Sequence, residues 1–161
     1  MSGALNIPIP TKAEYFSILL FERGSGFVRI DEEVHEISQG KIIVVFPNQL
    51  GCCNLSEDTA AHHLIATKEV YEAITSLANL SVRKLKPVSG FDVNEVNFEI
   101  LLQEFAAIRQ LLENYRPEEG DIVLNRFKTI YLIHEAACMK IRKYDISEIN
   151  HPVTSKIYKT H

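Results

Sequence analysis

The amino-acid sequence predicts an α+β domain, an antiparallel β-barrel followed by an antiparallel helical hairpin. Three observations carry that expectation. Between Glu14 and Ala66 short apolar runs are punctuated by Gly, Asp, Ser and Pro; after Lys68 the apolar period lengthens to helical spacing; and a Pro/Gly break at "RPEEGD" separates two long amphipathic stretches. The chain has 161 residues, 46% of them hydrophobic, enough for one core or for a core with a small appendage.

In order, "EYFSILLF" from Glu14 reads as the first strand, and "RGSG" as a hairpin turn in which Gly24 and Gly26 supply positive φ. "FVRI" and "VHEI" follow as strands around a turn opened by Asp31, and "KIIVVF" as a further strand that ends at Pro47. The segment from Pro47 is expected to run as a loop until "HHLIA" at residues 62 to 66, the last strand. Lys68 to Leu80 then carries Val70, Tyr71, Ile74 and Leu77 at helical spacing, and Pro87 and Gly90 interrupt it.

Asp92 or Asn94 can cap the next helix, expected from about Asn94 to Tyr115, in which Phe98, Leu101, Phe105, Ile108, Leu112 and Tyr115 recur at intervals of three and four. Leu102, Ala106 and Leu111 widen that stripe. The second helix is expected from about Ile122 to Tyr144, with Phe127, Ile130, His134, Ala137 and Ile141 on one side. Stripes this wide offer more apolar surface than one barrel contact needs, which predicts a homodimer through Phe98, Leu101, Leu102, Phe105, Ile108 and Leu112.

Charge narrows the function. The net charge of −4 lacks the basic field of a free-standing nucleic-acid binder. Three cysteines, two adjacent and the third at Cys138, make no disulfide framework and point to the reducing cytoplasm. No apolar run approaches the roughly 18 residues of a membrane span, so no membrane association is expected. No Gly-x-Ser-x-Gly, phosphate loop, HExxH or CxxC occurs to support nucleophilic, phosphoryl-transfer or zinc-hydrolase chemistry.

The block "ILLFERGSGFVRIDEEVHEISQGKIIVVFPNQ" resembles the barrel segment of the cupin-type sensor domain at the N-terminus of AraC/XylS-type bacterial transcription regulators. The resemblance rests on Gly24 to Gly26, on Ile30 and Asp31, on Gly40 to Phe46, and on Pro47 to Gln49, and the layout of residues 62 to 144 extends it. It implies a jelly-roll type cupin-like barrel that senses a small-molecule effector, helices that dimerise, and DNA contact through a C-terminal domain. Only 17 residues follow Tyr144, too few for two helix-turn-helix units. The expected organisation is therefore a sensor barrel with one short helix over residues 1–90, a dimerisation hairpin over 91–146, and the start of a linker over 147–161.

Metallo-cupins hold their ion with histidines and a carboxylate. On the resemblance, those positions fall near Pro10 and Lys12, on Ser17, and on Gly51, or on Cys52 with a one-residue slip. These residues make no metal set, so the expectation is a barrel without metal, cofactor or catalytic residues that binds an organic effector. Tyr15, Ser17 and Leu19 are the expected lining of one strand, with Cys52 beside them. Arg29 is mid-strand and points either outward as a solvated charge or inward as the partner of a ligand anion.

The remaining candidates have simpler explanations. His62 and His63 point to opposite faces of a strand and cannot share a metal; Cys52 and Cys53 are strained as a bridged pair and suit packing; His35 between acidic neighbours and His134 in a helix stripe suit structural roles. A stand-alone metal-free cupin enzyme of isomerase type and a dimerisation scaffold with a collapsed barrel are the rival functions.

Overall fold

A computed structural model of the chain describes the backbone of residues 6–78 and 89–145, and the side chains of 6–75 and 89–138. The strands are β1 (Ile7–Lys12), β2 (Phe16–Arg23), β3 (Gly26–Ile30), β4 (Glu33–Glu36), β5 (Lys41–Val45), β6 (Leu50–Leu55), β7 (Ala60–Ala66) and β8 (Gly90–Asp92). The helices are α1 (Lys68–Ala78), α2 (Glu95–Glu113) and α3 (Gly120–Asp145), with a single 3-10 turn at Pro117–Glu119 in the short connection that folds α3 back along α2.

Two four-stranded antiparallel sheets face each other, one in the order β1-β6-β3-β4 and the other β7-β2-β5-β8. This is the cupin-like, jelly-roll type of architecture that the family resemblance implies, followed by the helical hairpin that the change of period predicts. The second sheet is covered on its other side by the helices. Its β5 is consequently buried on both faces, and Ile42, Ile43 and Val44 form an unbroken apolar run. β2 alternates: Phe16, Ile18 and Leu20 pack toward the helices, whereas Leu19 and Phe21 pack between the sheets.

The connections between sheets are distributed unequally. The β2–β3, β4–β5 and β6–β7 connections all cross at one end, where the Ile37, Gly40 and Ser56 amides donate to the carbonyls of Gly26, Phe21 and Ser25, each at 2.9 Å. Gly26 has φ +117°, and a Cβ there would collide with the Asn54 carbonyl, so this tight crossing needs glycine. Only the β1–β2 and β5–β6 connections cross at the opposite end.

Asp31, from the Ile30–Asp31 pair, and Gln49, from the Pro47–Gln49 corner, prove to be partners at that opposite end. Asp31, at φ 54°, accepts from the Leu50 amide through Oδ1 at 2.9 Å and from Gln49 Nε2 through Oδ2 at 3.1 Å. Gln49 Oε1 in turn accepts from the Phe46 amide at 2.8 Å. These carboxylate and amide groups tie the β3–β4 turn to the β5–β6 corner, so the motif is a structural latch.

Three strands lie outside the expected set. β1, "IPIPTK", contains Pro8 and Pro10, which lack an N–H, and survives as a strand because it forms the sheet edge. β6, "LGCCNL", falls in the expected loop and lacks a β-branched run, yet lies centrally between β1 and β3. β8 spans only three residues and pairs with β5. For α2, Asn94 is the cap: its side chain accepts from the Asn97 amide at 2.8 Å.

Candidate functional site

The space between the sheets changes character along its length. At the thrice-crossed end Phe21, Ile37, Ile43 and Leu55 are buried and mutually packed. Leu19, Val45 and Cys53 are only partly buried against that cluster; at the twice-crossed end Ser17, Val45 and Gly51 are partly accessible, while Ile30 beside Gly51 stays buried. The ladders fix which residues share them: Ser17 lies opposite Val45 on one side and Ile65 on the other, and Ile7 lies opposite Cys53. Ile65 is 55% exposed and Ile7 44%. A dry, filled end thus grades into a partly open, apolar one, accessible on the side of β7, β2 and β6 and closed by Ile30 on the side of β3.

Ser17 and Leu19 are on the expected inward face. Tyr15 precedes β2 and is half exposed at the open end. Arg29 and Cys52 are corrections. They pair with one another in the β3–β6 ladder on the register opposite to Val28 and Cys53, which places them on the outer face; Arg29 is exposed and its Nε donates to the Asp31 carbonyl at 3.0 Å. The inward cysteine is Cys53, and Gly51 is the other inward position, its Cα–Cβ direction aimed at Ile30 Cδ1. Burial pushes the Cys53 thiol above its usual pKa, leaving a neutral thiol at neutral pH. Val45, Cys53 and Ile65 share the inward face with Ser17 and Leu19, a sharing set by the pairing of β2 with β5 and β7 and of β6 with β1 and β3 rather than by local pattern.

The dimer stripe also needs correction. Leu101, Phe105 and Ile108 are buried in the subunit's own core against Phe16, Ile18, Leu20 and Leu64, and Phe98 and Leu102 pack partly on the same cluster. Leu112 remains half exposed. The seam spacing marks the helix face that docks on the sheet, and the accessible apolar residues of α2 are Val96, at 70%, Ile100 one turn later, and Leu112 near the other end.

Barrel and helix meet in a polar chain at the sheet edge. His62 faces α2, with Nε2 2.6 Å from Glu22 Oε1 and Nδ1 2.9 Å from an Arg109 terminal nitrogen, and its ring lies 5.7 Å from that of Phe105. Beside it a shallow cleft of about 320 Å³ runs between β7 and α2, bordered by Leu64, Ile108 and Leu112. His134 is buried between the rings of Phe91 and Tyr131, with Cys138 Sγ 3.5 Å from Nε2. His35 is half-buried against Gly90, and its Nε2 is 3.5 Å from Glu33. Among the described residues no group of three or more His, Cys, Asp or Glu side chains is placed to hold a metal ion. No described helix is long and apolar enough to cross a membrane.

The sequence was compared with known families, curated proteins and solved structures. No curated protein matches it. The crystal structure of the AraC-like transcriptional activator CuxR matches with a TM-score of 0.52 at 15% identity, over 76% of this chain and 42% of that one. The chain thus spans less than half of that protein, and at this identity the likeness is one of fold. The AraC-like ligand binding domain family matches residues 8–76, from β1 through most of α1. Seven of the eight described strands of the two-sheet barrel thus lie in or overlap a segment similar to the AraC-like ligand binding domain family.

Proposed function

We propose that the chain is the effector-sensing and dimerising part of an AraC-type transcription regulator of the cytoplasm, and that it binds a small organic molecule at the open end between the sheets without reacting with it. The observation that carries this reading is the gradient from the packed Phe21 end to the half-open Ser17, Leu19 and Val45 end. Residues 1–90 would sense and 91–146 would dimerise. Residues 147–161, beyond the described ones, would begin the link to the DNA-reading part. An effector shifts such a regulator only through different affinities for its two arrangements. The His62–Arg109 contact is one place where barrel and helices can exchange strain.

The test is a thermal-shift screen of a metabolite library against the native protein and Val45→Trp, which fills the opening. Effectors should stabilise the native protein and lose that effect in the variant. Equal stabilisation of both proteins would place binding elsewhere. For association, Ile100→Glu should produce monomers with native circular dichroism if the accessible row on α2 forms the two-fold contact. Sedimentation velocity reads that outcome, and an unchanged dimer would move the interface off α2.

A further inference from the structure

Resting on the sensing role proposed above, the composition of the open end specifies the chemistry of its ligand. We infer that the effector is an uncharged, mainly apolar organic molecule with no more than one or two hydrogen-bonding groups. The walls of the open end are the side chains of Val45, Ile65 and Ile30, with Leu19 deeper in and Ile7 on the edge strand beside Cys53. The Ser17 hydroxyl and the Cys53 thiol are polar groups among them, and Thr11, opposite Gly51, donates its hydroxyl to the Ile9 carbonyl. Burial keeps Cys53 neutral, and partial burial pulls the pKa of His63, opposite Leu19 in the ladder, below its ordinary value.

A ligand carboxylate or phosphate entering this space would give up its hydration and require a cation in return. The nearby cations are committed elsewhere. Arg29 is on the outer face and bonded to the Asp31 carbonyl, Arg109 is held by His62 on the helix side of β7, and Lys12 pairs with Leu50 on the outward register of the β1–β6 ladder. A polyhydroxylated sugar meets a different obstacle. Every hydroxyl taken from water needs a partner, and one serine hydroxyl with a weakly bonding thiol satisfies few of them. An apolar molecule needs none, and covering half-exposed Ile65 and Ile7 is favourable in itself.

A matched pair of dyes tests the inference. N-phenyl-1-naphthylamine and 8-anilinonaphthalene-1-sulfonate share a skeleton and differ by one sulfonate. Fluorescence titration of the whole chain should show the neutral dye bound at least about tenfold more tightly, with that binding weakened about tenfold or more by Val45→Trp. Leu19→Arg should shift preference toward the sulfonate. Ile65→Arg, at a half-exposed position that tolerates charge, makes the same test should Leu19→Arg fail to fold. Sulfonate binding as tight as that of the neutral dye and equally sensitive to Val45→Trp would overturn the ligand class while leaving the site standing. Weak binding of both dyes, or binding indifferent to Val45→Trp, would overturn the site and the class with it.

Discussion

The two faces of the β7-β2-β5-β8 sheet are built from one set of strands yet behave as different materials. Toward the helices Phe16, Ile18, Leu20, Ile42, Val44 and Leu64 meet Leu101, Phe105, Ile108, Phe127 and Ile130 in a dry and extensive core. Toward the other sheet only Phe21, Val28, Ile30, Ile37, Ile43 and Leu55 are fully packed, and the same strands reach water at Ser17 and Ile65. The difference teaches where the domain keeps its stability and where it keeps its accessible volume. Helix docking holds the fold, which leaves the space between the sheets free to stay partly open.

The comparison breaks most sharply at Phe105, which is buried on the stable face with its ring tilted 45° to that of His62. Phe105→Ala should cost about 3 to 5 kcal/mol of unfolding free energy in urea titration, the scale of an aromatic truncation in a core. A loss under about 1 kcal/mol would mean that the helices are not the principal support. Asp31→Ala should come next. It leaves the Leu50 amide and the Gln49 side chain without their acceptor, and a loss of about 1 to 3 kcal/mol is expected, with the earliest hydrogen exchange at the β5–β6 corner. An undisturbed corner would show that the latch is decorative.

Smaller effects probe the polar seams. His62→Ala removes the bridge between Glu22 and Arg109 at a partly exposed edge, and about 1 kcal/mol or less should be lost. Effector-induced changes in exchange on α2 should weaken at the same time, since that bridge joins β7 to the helix. The smallest effect is pH-dependent. Burial lowers the His35 pKa below 6.5, with Lys41 acting in the same direction and Glu33 opposing. The folded protein resists a proton that the unfolded chain accepts, so this stabilisation is present above about pH 6.5 and is lost as pH falls through the lowered value. His35→Gln should flatten the acid limb of a stability–pH profile, and an unchanged limb would assign the acid loss to other groups.

Much of this architecture was legible from period and punctuation. The runs at β2 and β5, the glycine turns and the helical stripes each have strong local signals, and the Pro117–Gly120 break sets the hairpin. β6 was illegible because Gly51, Cys52 and Cys53 carry little strand propensity, and what holds them is pairing with β1 and β3 from distant parts of the chain. The resemblance places Gly51, or Cys52 with a one-residue slip, at the inward position, and the ladder keeps Gly51 inward and turns Cys52 outward. The α2 stripe was legible as a pattern, but spacing defines a buried face without saying how it is divided between the subunit's own sheet, which buries Leu101, Phe105 and Ile108, and a second subunit. Arg29 shows the same limit, since the face of a strand residue follows from register, and register is fixed by its partners.

The central claim, that the two faces of β2 divide stability from sensing, is tested most directly by truncating adjacent leucines. Leu20 is fully buried toward the helices and Leu19 partly buried between the sheets, so Leu20→Ala and Leu19→Ala delete the same atoms from opposite sides of one strand. Urea unfolding and N-phenyl-1-naphthylamine titration of both variants should separate them. Leu20→Ala should lose about 3 to 5 kcal/mol and, where folded, keep the dye affinity; Leu19→Ala should lose about 1 to 2 kcal/mol and change that affinity several-fold. Equal stability losses together with unchanged dye binding in Leu19→Ala would contradict the division.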